Sequence, residues 1–328
     1  MSRRCLVVHP GALGDVLLAG PALAHIRTLG YRQTLAVTPR LVALFEGSGL
    51  VDAAVDLETL ALHRLFVEAP HPDALRALTF FDAVVCWIGA GDAAFRTNLA
   101  RIGRPTVVAR AAPPAGSGRH VSRHLLETLA PLGPVPADLP VMSLHLSEEA
   151  RTTARNWLAA RGIAVGEAIV LQPGAGAATK LWPGFPTLAR RLREDGLPLV
   201  ALAGPADHAA VQALLDVGAV REELLARDWP LADIAALLAL SRAAVGNDSG
   251  PTHLAAAVGC STVALFGPTD PAMWAPVGPR VRVIDGRTEG SAWPGVGRVE
   301  ATLRALLAPP ARELPREPAQ AESVDAWR

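Results

Sequence analysis

Short apolar runs alternate along this chain with longer stretches in which apolar residues recur every three or four positions. The runs at 5–8, 33–37, 53–56, 82–87 and 105–109 read as strands of a parallel sheet, buried on both faces. Between them, 41–48, 72–78, 93–102 and 15–29 read as helices, the last interrupted at Gly20-Pro21, which kinks or restarts it. The alternation stops at 131–146, where Pro131, Pro134, Pro136 and Pro140 favour an extended, semi-rigid connection. Ser147-Glu148-Glu149 then opens a helix to about residue 161, with Ser147 as its cap and Gly162 as its stop. A second alternating series follows, with strands at 168–171, 197–203, 243–246 and 261–266. Its helices fall at 185–195, 207–216, 231–240, after Pro251, and at 298–307.

Strands alternating with helices imply parallel sheets covered on both faces, with ligands beyond the carboxyl ends of the strands. The expected class is α/β, in two domains of residues 1–146 and 147–308. A length of 328 residues with half of them hydrophobic is enough for two cores. Residues 309–328, rich in Pro, Ala, Glu and Arg, read as a disordered tail.

Charge and composition narrow the function. The formal net charge is zero and no basic block occurs, so nothing points to nucleic acid. Cys5, Cys86 and Cys260 lie far apart without metal-ligand spacing, which fits a reduced cytoplasmic setting. Met1-Ser2-Arg3-Arg4 and the apolar run after it imitate a signal peptide, but Pro10, Gly11 and Asp15 interrupt that run. No stretch of about 18 apolar residues is free of charges and breakers, so no membrane span is expected. Thirty arginines stand against a single lysine, Lys180.

Three stretches carry candidate chemistry. In Val245-Gly246-Asn247-Asp248-Ser249-Gly250-Pro251-Thr252-His253, a strand runs through a tight turn into a helix. Free N–H groups and the positive end of the helix dipole there favour a phosphate, to which His253 can donate from the first turn. The plainer reading is a capped helix with a satisfied, buried histidine. In Gly11-Ala12-Leu13-Gly14-Asp15, Gly11 and Gly14 permit close backbone approach to a ligand. Asp15 is either a general base facing a cleft or the cap of the first helix. The full GxGxxG dinucleotide pattern is missing. The third stretch is Gln172-Pro173-Gly174-Ala175-Gly176 followed by Thr179-Lys180-Leu181-Trp182-Pro183. It holds the only lysine, whose compact ammonium is not interchangeable with guanidinium. Trp182 packs this loop and has no chemistry of its own. Arg119 and Arg123, four apart, would share one helical face, either as an anion clamp or as a solvated surface.

In this order, the three stretches resemble the signature of glycosyltransferase family 9, the lipopolysaccharide heptosyltransferases. The resemblance runs over about residues 5–308. It implies GT-B architecture, two Rossmann-like parallel-sheet domains facing a cleft, often with a C-terminal helix crossing back to the first domain. It implies an inverting transfer of a sugar, heptose from ADP-heptose, to a lipopolysaccharide core or similar acceptor. Asp15 matches the family's proposed base, and Lys180 would meet the donor diphosphate. Gly174, Thr179, Asp207, Asp248, Ser249, Gly250 and His253 would bind the donor. Among them, Asp207 resembles the acid that holds a ribose hydroxyl, and Asp248 would bind donor sugar hydroxyls. Gly14, Arg119 and Arg123 would face an anionic glycolipid acceptor at the cytoplasmic surface of the inner membrane. No Asp-x-Asp occurs, so no metal and no cofactor are expected. Two alternatives remain open. A nucleotide-sugar epimerase of the same fold would turn over donor alone, and a non-catalytic sugar-nucleotide or glycan-binding protein would bind without turnover.

Overall fold

The computed structural model describes residues 2–308, so the tail read at 309–328 lies outside the described residues. The first five strands are β1 (Arg3–Val8), β2 (Tyr31–Val37), β3 (Ala53–Asp56), β4 (Ala83–Cys86) and β5 (Thr106–Val108). They pair in parallel in the order β3-β2-β1-β4-β5. Six more form a second parallel sheet: β6 (Ile169–Gln172), β7 (Leu199–Ala203), β8 (Leu225–Arg227), β9 (Ala243–Asn247), β10 (Ser261–Phe266) and β11 (Val281–Asp285). Their order is β11-β10-β9-β6-β7-β8.

Continuous apolar runs form the central strands because both faces of each sheet are covered. In β1, Cys5 and Val7 enter one apolar cluster while Leu6 and Val8 enter another on the opposite face. The helices of the first half are α1 (Leu13–Leu18), α2 (Gly20–Thr28), α3 (Pro39–Phe45), α4 (Ala93–Ala100) and α5 (Val121–Glu127). The long helix read at 15–29 is thus two, parted at Ala19, with Pro21 seated in the first turn of α2 where its missing N–H costs nothing. The helix expected at 72–78 does not form. Residues Pro72–Leu75 and Leu78–Phe80 make separate 3-10 turns instead.

The second half carries α6 (Glu148–Ala159), α7 (Phe185–Glu194), α8 (His208–Asp216), α9 (Leu231–Ala239), α10 (Gly250–Ala257), α11 (Pro271–Trp274) and α12 (Val296–Leu307). Ser147 caps α6, its hydroxyl accepting from the Ala150 N–H at 3.2 Å. Strands β8 and β11 were not expected. Both lie at sheet edges, the first only three residues long and the second exposed at Arg282 and Val283. α12 does not cross back to the first sheet. Val299 and Leu303 bury it against the second, beside α7.

One buried cluster joins the halves. Val16 and Leu17 of α1, Leu41 and Leu44 of α3, Ala235 and Leu238 of α9, and Leu254 of α10 belong to the same continuous core. The crossing of α1 and α10 depends on small residues. A Cβ on Gly250 would lie 3.0 Å from the Leu13 Cβ, and one on Gly14 would lie 3.1 Å from the His253 ring. Gly250→Val would force these helices apart, and overpacking of this kind costs roughly 1–3 kcal/mol. Urea unfolding should show that loss. An unchanged midpoint would mean that the halves tolerate separation along this seam.

Candidate active site

Register decides which loops meet. Gln172 pairs with Gly246 across β6 and β9, and Leu265 with Asn247 across β10 and β9. The loops after Gln172, Asn247 and Phe266 therefore leave one edge side by side. Asn247, fully buried, ties them together. Its amide donates to the carbonyls of Pro173 at 2.8 Å and Gly174 at 3.2 Å. Its Oδ1 accepts the Trp182 N–H at 3.1 Å, and its backbone carbonyl accepts the Thr252 hydroxyl at 2.6 Å. Trp182 is itself buried, and its indole donates to the Pro294 carbonyl at 2.9 Å.

This frame aims Lys180 at Asp248. The ammonium lies 2.7 Å from Asp248 Oδ2, the Thr269 hydroxyl donates to the same oxygen at 2.8 Å, and His253 Nε2 stands 3.6 Å from Oδ1. Burial alone would raise the Asp248 carboxyl. The donors on His253, Lys180 and Thr269, with the Lys180 charge, outweigh it and hold the group down at about 2. Asp248 therefore stays ionised as a fixed negative charge. Beside it, the Ser249 and Gly250 N–H groups at the start of α10 have no acceptor among the described residues, and Pro251 occupies the first turn. Such an end is suited to an anion.

Asp15 reaches the same place from the first sheet. A cavity of about 240 Å³ is lined by Gly14, Asp15, Gly176, Lys180, Asp248, Ser249, Gly250, His253 and Trp274. The N-cap of α1 is Ala12, not Asp15; Asp15 is the third residue of the helix, and its Oδ2 reaches back to accept the Ala12 N–H at 3.0 Å while the residue also lines the cavity. A larger cavity of about 600 Å³ shares Gly176, Ser249 and Gly250 with it and continues past Asp207 to Trp229, Leu231 and Ile234. Asp207 Oδ2 accepts the Gly204 N–H at 3.0 Å. Gly174 makes room for Asp207, since a Cβ there would lie 1.9 Å from Asp207 Oδ1. Polar groups at the junction and apolar walls beyond it suit a ligand with an anionic part and an apolar part.

Four expected residues line neither cavity, buried Gly174 among them. Thr179 is exposed and lines neither cavity. Arg119 precedes α5, whose cap is His120, so the two arginines do not share a helical face. Both bind Glu127 instead, and Arg123 also donates to the carbonyls of Pro136 and Ala137 at 2.7 and 2.8 Å. The cross-cleft contact here is made by His120. Its Nδ1 accepts the Ser122 N–H at 3.2 Å, so the proton sits on Nε2, which donates to the Ala275 carbonyl at 2.9 Å. Burial and the nearby His253 push the His120 ring below its ordinary value. Sequence reasoning gave no role to Asn247, Thr269 or Trp274. Asn247 and Thr269 were in view, beside Asp248 and in the turn after the strand at 261–266.

A family model described as glycosyltransferase family 9 (heptosyltransferase) matches residues 95–294. The chain belongs to glycosyltransferase family 9. This family 9 chain is 33% identical over 111 residues to lipopolysaccharide heptosyltransferase 2 of Escherichia coli strain K12, a match covering 32% of each. It spans less than half the length of each curated relative it matches. Among solved structures it is similar to a family 9 glycosyl transferase from Veillonella parvula DSM 2008, with TM-score 0.74 and 20% identity, over 93% of this chain and 97% of that one. It is also similar to E. coli ADP-heptose lps heptosyltransferase II, with TM-score 0.69 and 22% identity, over 93% and 98%. These likenesses establish the GT-B fold.

The Asp248 cluster makes stability in this family 9 chain depend on pH. The native carboxyl lies below its unfolded value of 3.8, so its contribution is complete above about pH 4 and fades as pH falls toward 2. A shift of that size is worth about 2 kcal/mol. The stability gap between wild type and Asp248→Asn, from urea unfolding, should be flat at neutral pH and narrow below about pH 4. A gap that stays constant down to pH 2.5 would mean that Asp248 is not held ionised by its partners.

Proposed function

We propose that this chain is an inverting, metal-independent glycosyltransferase. It would move a heptose from an ADP-activated donor to an anionic glycolipid acceptor such as a lipopolysaccharide core. The observation that carries the reading is the convergence of Asp15, Lys180, Asp248 and His253 on one cavity that shares Ser249 and Gly250 with a larger one, of a size to take a nucleoside. Family membership and the name of the ADP-heptose-using neighbour support the donor assignment. In this reading residues 1–146 take the acceptor and 147–308 hold the nucleotide sugar. The place of work is the cytoplasmic face of the inner membrane, and no helix among the described residues is long and apolar enough to cross it.

The acceptor hydroxyl oxygen attacks the anomeric carbon on the face opposite the diphosphate. Asp15 takes the hydroxyl proton as the new C–O bond forms. The bond to the β-phosphate oxygen breaks with its electron pair, leaving the nucleoside diphosphate and a glycoside of inverted configuration. Asp15 then loses its proton to water. Negative charge grows on the departing diphosphate, where the Lys180 ammonium, the Ser249 and Gly250 N–H groups and the α10 dipole stabilise it more than they stabilise the bound donor. His253 donates to a phosphate oxygen, Asp207 holds a ribose hydroxyl, and Asp248 holds Lys180 and a sugar hydroxyl.

Asp15→Asn separates base from cap. At the third position of α1 an asparagine oxygen can still accept the Ala12 N–H, but it takes up no proton. The variant should melt like wild type, bind ADP normally and turn over about 10²-fold more slowly or worse. Turnover within a few-fold of wild type would return Asp15 to a capping role. Activity should also survive EDTA, because Lys180 and the α10 N-terminus supply the positive charge that a metal would otherwise bring. Loss of turnover in chelator, restored by magnesium or manganese, would overturn the metal-free mechanism.

A further inference from the structure

Among the described residues, the larger cavity has one wall residue from the first half of the chain. Gln172, Ala203, Ala226, Trp229 and Ile234 all belong to the second sheet and its connections, whereas Arg40 comes from the first turn of α3. Its position is set by its neighbours. Leu41 and Leu44 are buried in the core shared with α9, and α3 packs against α9 directly. Leu231 and Ile234, in the first turns of α9, line the apolar end of the same cavity. Packing of α3 on α9 thus brings Arg40 to the same cavity wall as the start of α9.

The Arg40 side chain is exposed and makes no hydrogen bond or ion pair with any described residue. Its neighbours explain its place in the fold, but no described residue uses its guanidinium. The apolar walls suit a nucleobase, which has two flat faces. A planar guanidinium stacks on such a face and is more weakly hydrated than an ammonium.

We propose that Arg40 is the first half's contact with the donor nucleoside, its guanidinium covering the outward face of the base. This rests on the donor reading above and adds to it a link across the cleft: base recognition is divided between the two halves. A filled nucleoside cavity then favours the arrangement in which Asp15 and Lys180 share one chamber.

The test is calorimetric. ADP, UDP and GDP are titrated into wild type, Arg40→Ala and Arg40→Lys, followed by the free nucleoside of whichever diphosphate binds. Arg40→Ala should melt like wild type and weaken the diphosphate and the nucleoside alike, by roughly 3- to 30-fold. Arg40→Lys should recover little of that, because an ammonium does not stack as a plane. Wild-type affinity in Arg40→Ala would overturn the proposal, and so would a loss confined to the diphosphate, which would place the arginine on phosphate. If wild type binds none of the three diphosphates, the donor reading itself fails and the Arg40 contact with it.

Discussion

The architecture of the site depends on one buried side-chain amide. Asn247 sits at the end of a central strand with its amide and carbonyl oxygen engaged by three separate segments. A buried polar group without partners costs about 1–3 kcal/mol, so these loops are held to the geometry that satisfies it. The positions of Gly174, Lys180 and the start of α10 follow from that constraint. The lysine could not be aimed by its own loop, which is mostly exposed and contains only a single 3-10 turn. Trp182, pinned at both its backbone and its indole nitrogen, transmits the constraint from the strand end to the ammonium.

Electrostatics then completes what packing begins. Lys180 would be a freely rotating cation without Asp248, and Asp248 would be an expensive buried charge without Lys180, Thr269 and His253. The pair sets a cation and an anion in the wall of one cavity with two N–H groups that have no acceptor among the described residues, a space reached by a second carboxylate from the other half. In the proposed transfer a departing phosphate would compete with Asp248 for the ammonium, and so recruit a preformed charge instead of assembling one.

Much of the scaffold was legible in the residues. The apolar runs marked the central strands, Gly20-Pro21 marked the break between α1 and α2, and Ser147 marked the start of α6. Edge strands were not legible, because β8 is too short to show a period and β11 has too little buried surface to write one. The helix expected at 72–78 failed for a related reason: Leu75 and Leu78 are spaced for a helix but pack over the first sheet from two separate 3-10 turns. Within the site, the glycine-rich stretches and Lys180 stood out by composition. The bonds of Asn247 reach 65 to 74 residues along the chain, and that of Thr269 reaches 21 residues to Asp248, distances over which no local pattern operates. Arg119 and Arg123 looked like an anion clamp because their spacing was visible, whereas in the fold both pair with Glu127, one helical turn after Arg123.

The core that runs unbroken from α1 and α3 into α9 and α10 bears on how such proteins can be recombined. Two lobes joined only by a linker could be exchanged between relatives like cartridges, each bringing its own specificity. Here, cutting the chain at the proline-rich connection would bare an apolar face on both pieces, formed by residues such as Leu17, Leu44 and Leu254. A chimera would have to match that seam before any question of substrate arose. Evolution of a new acceptor preference on this scaffold is thereby steered toward the loops at the strand ends, leaving the wholesale exchange of halves as the harder route.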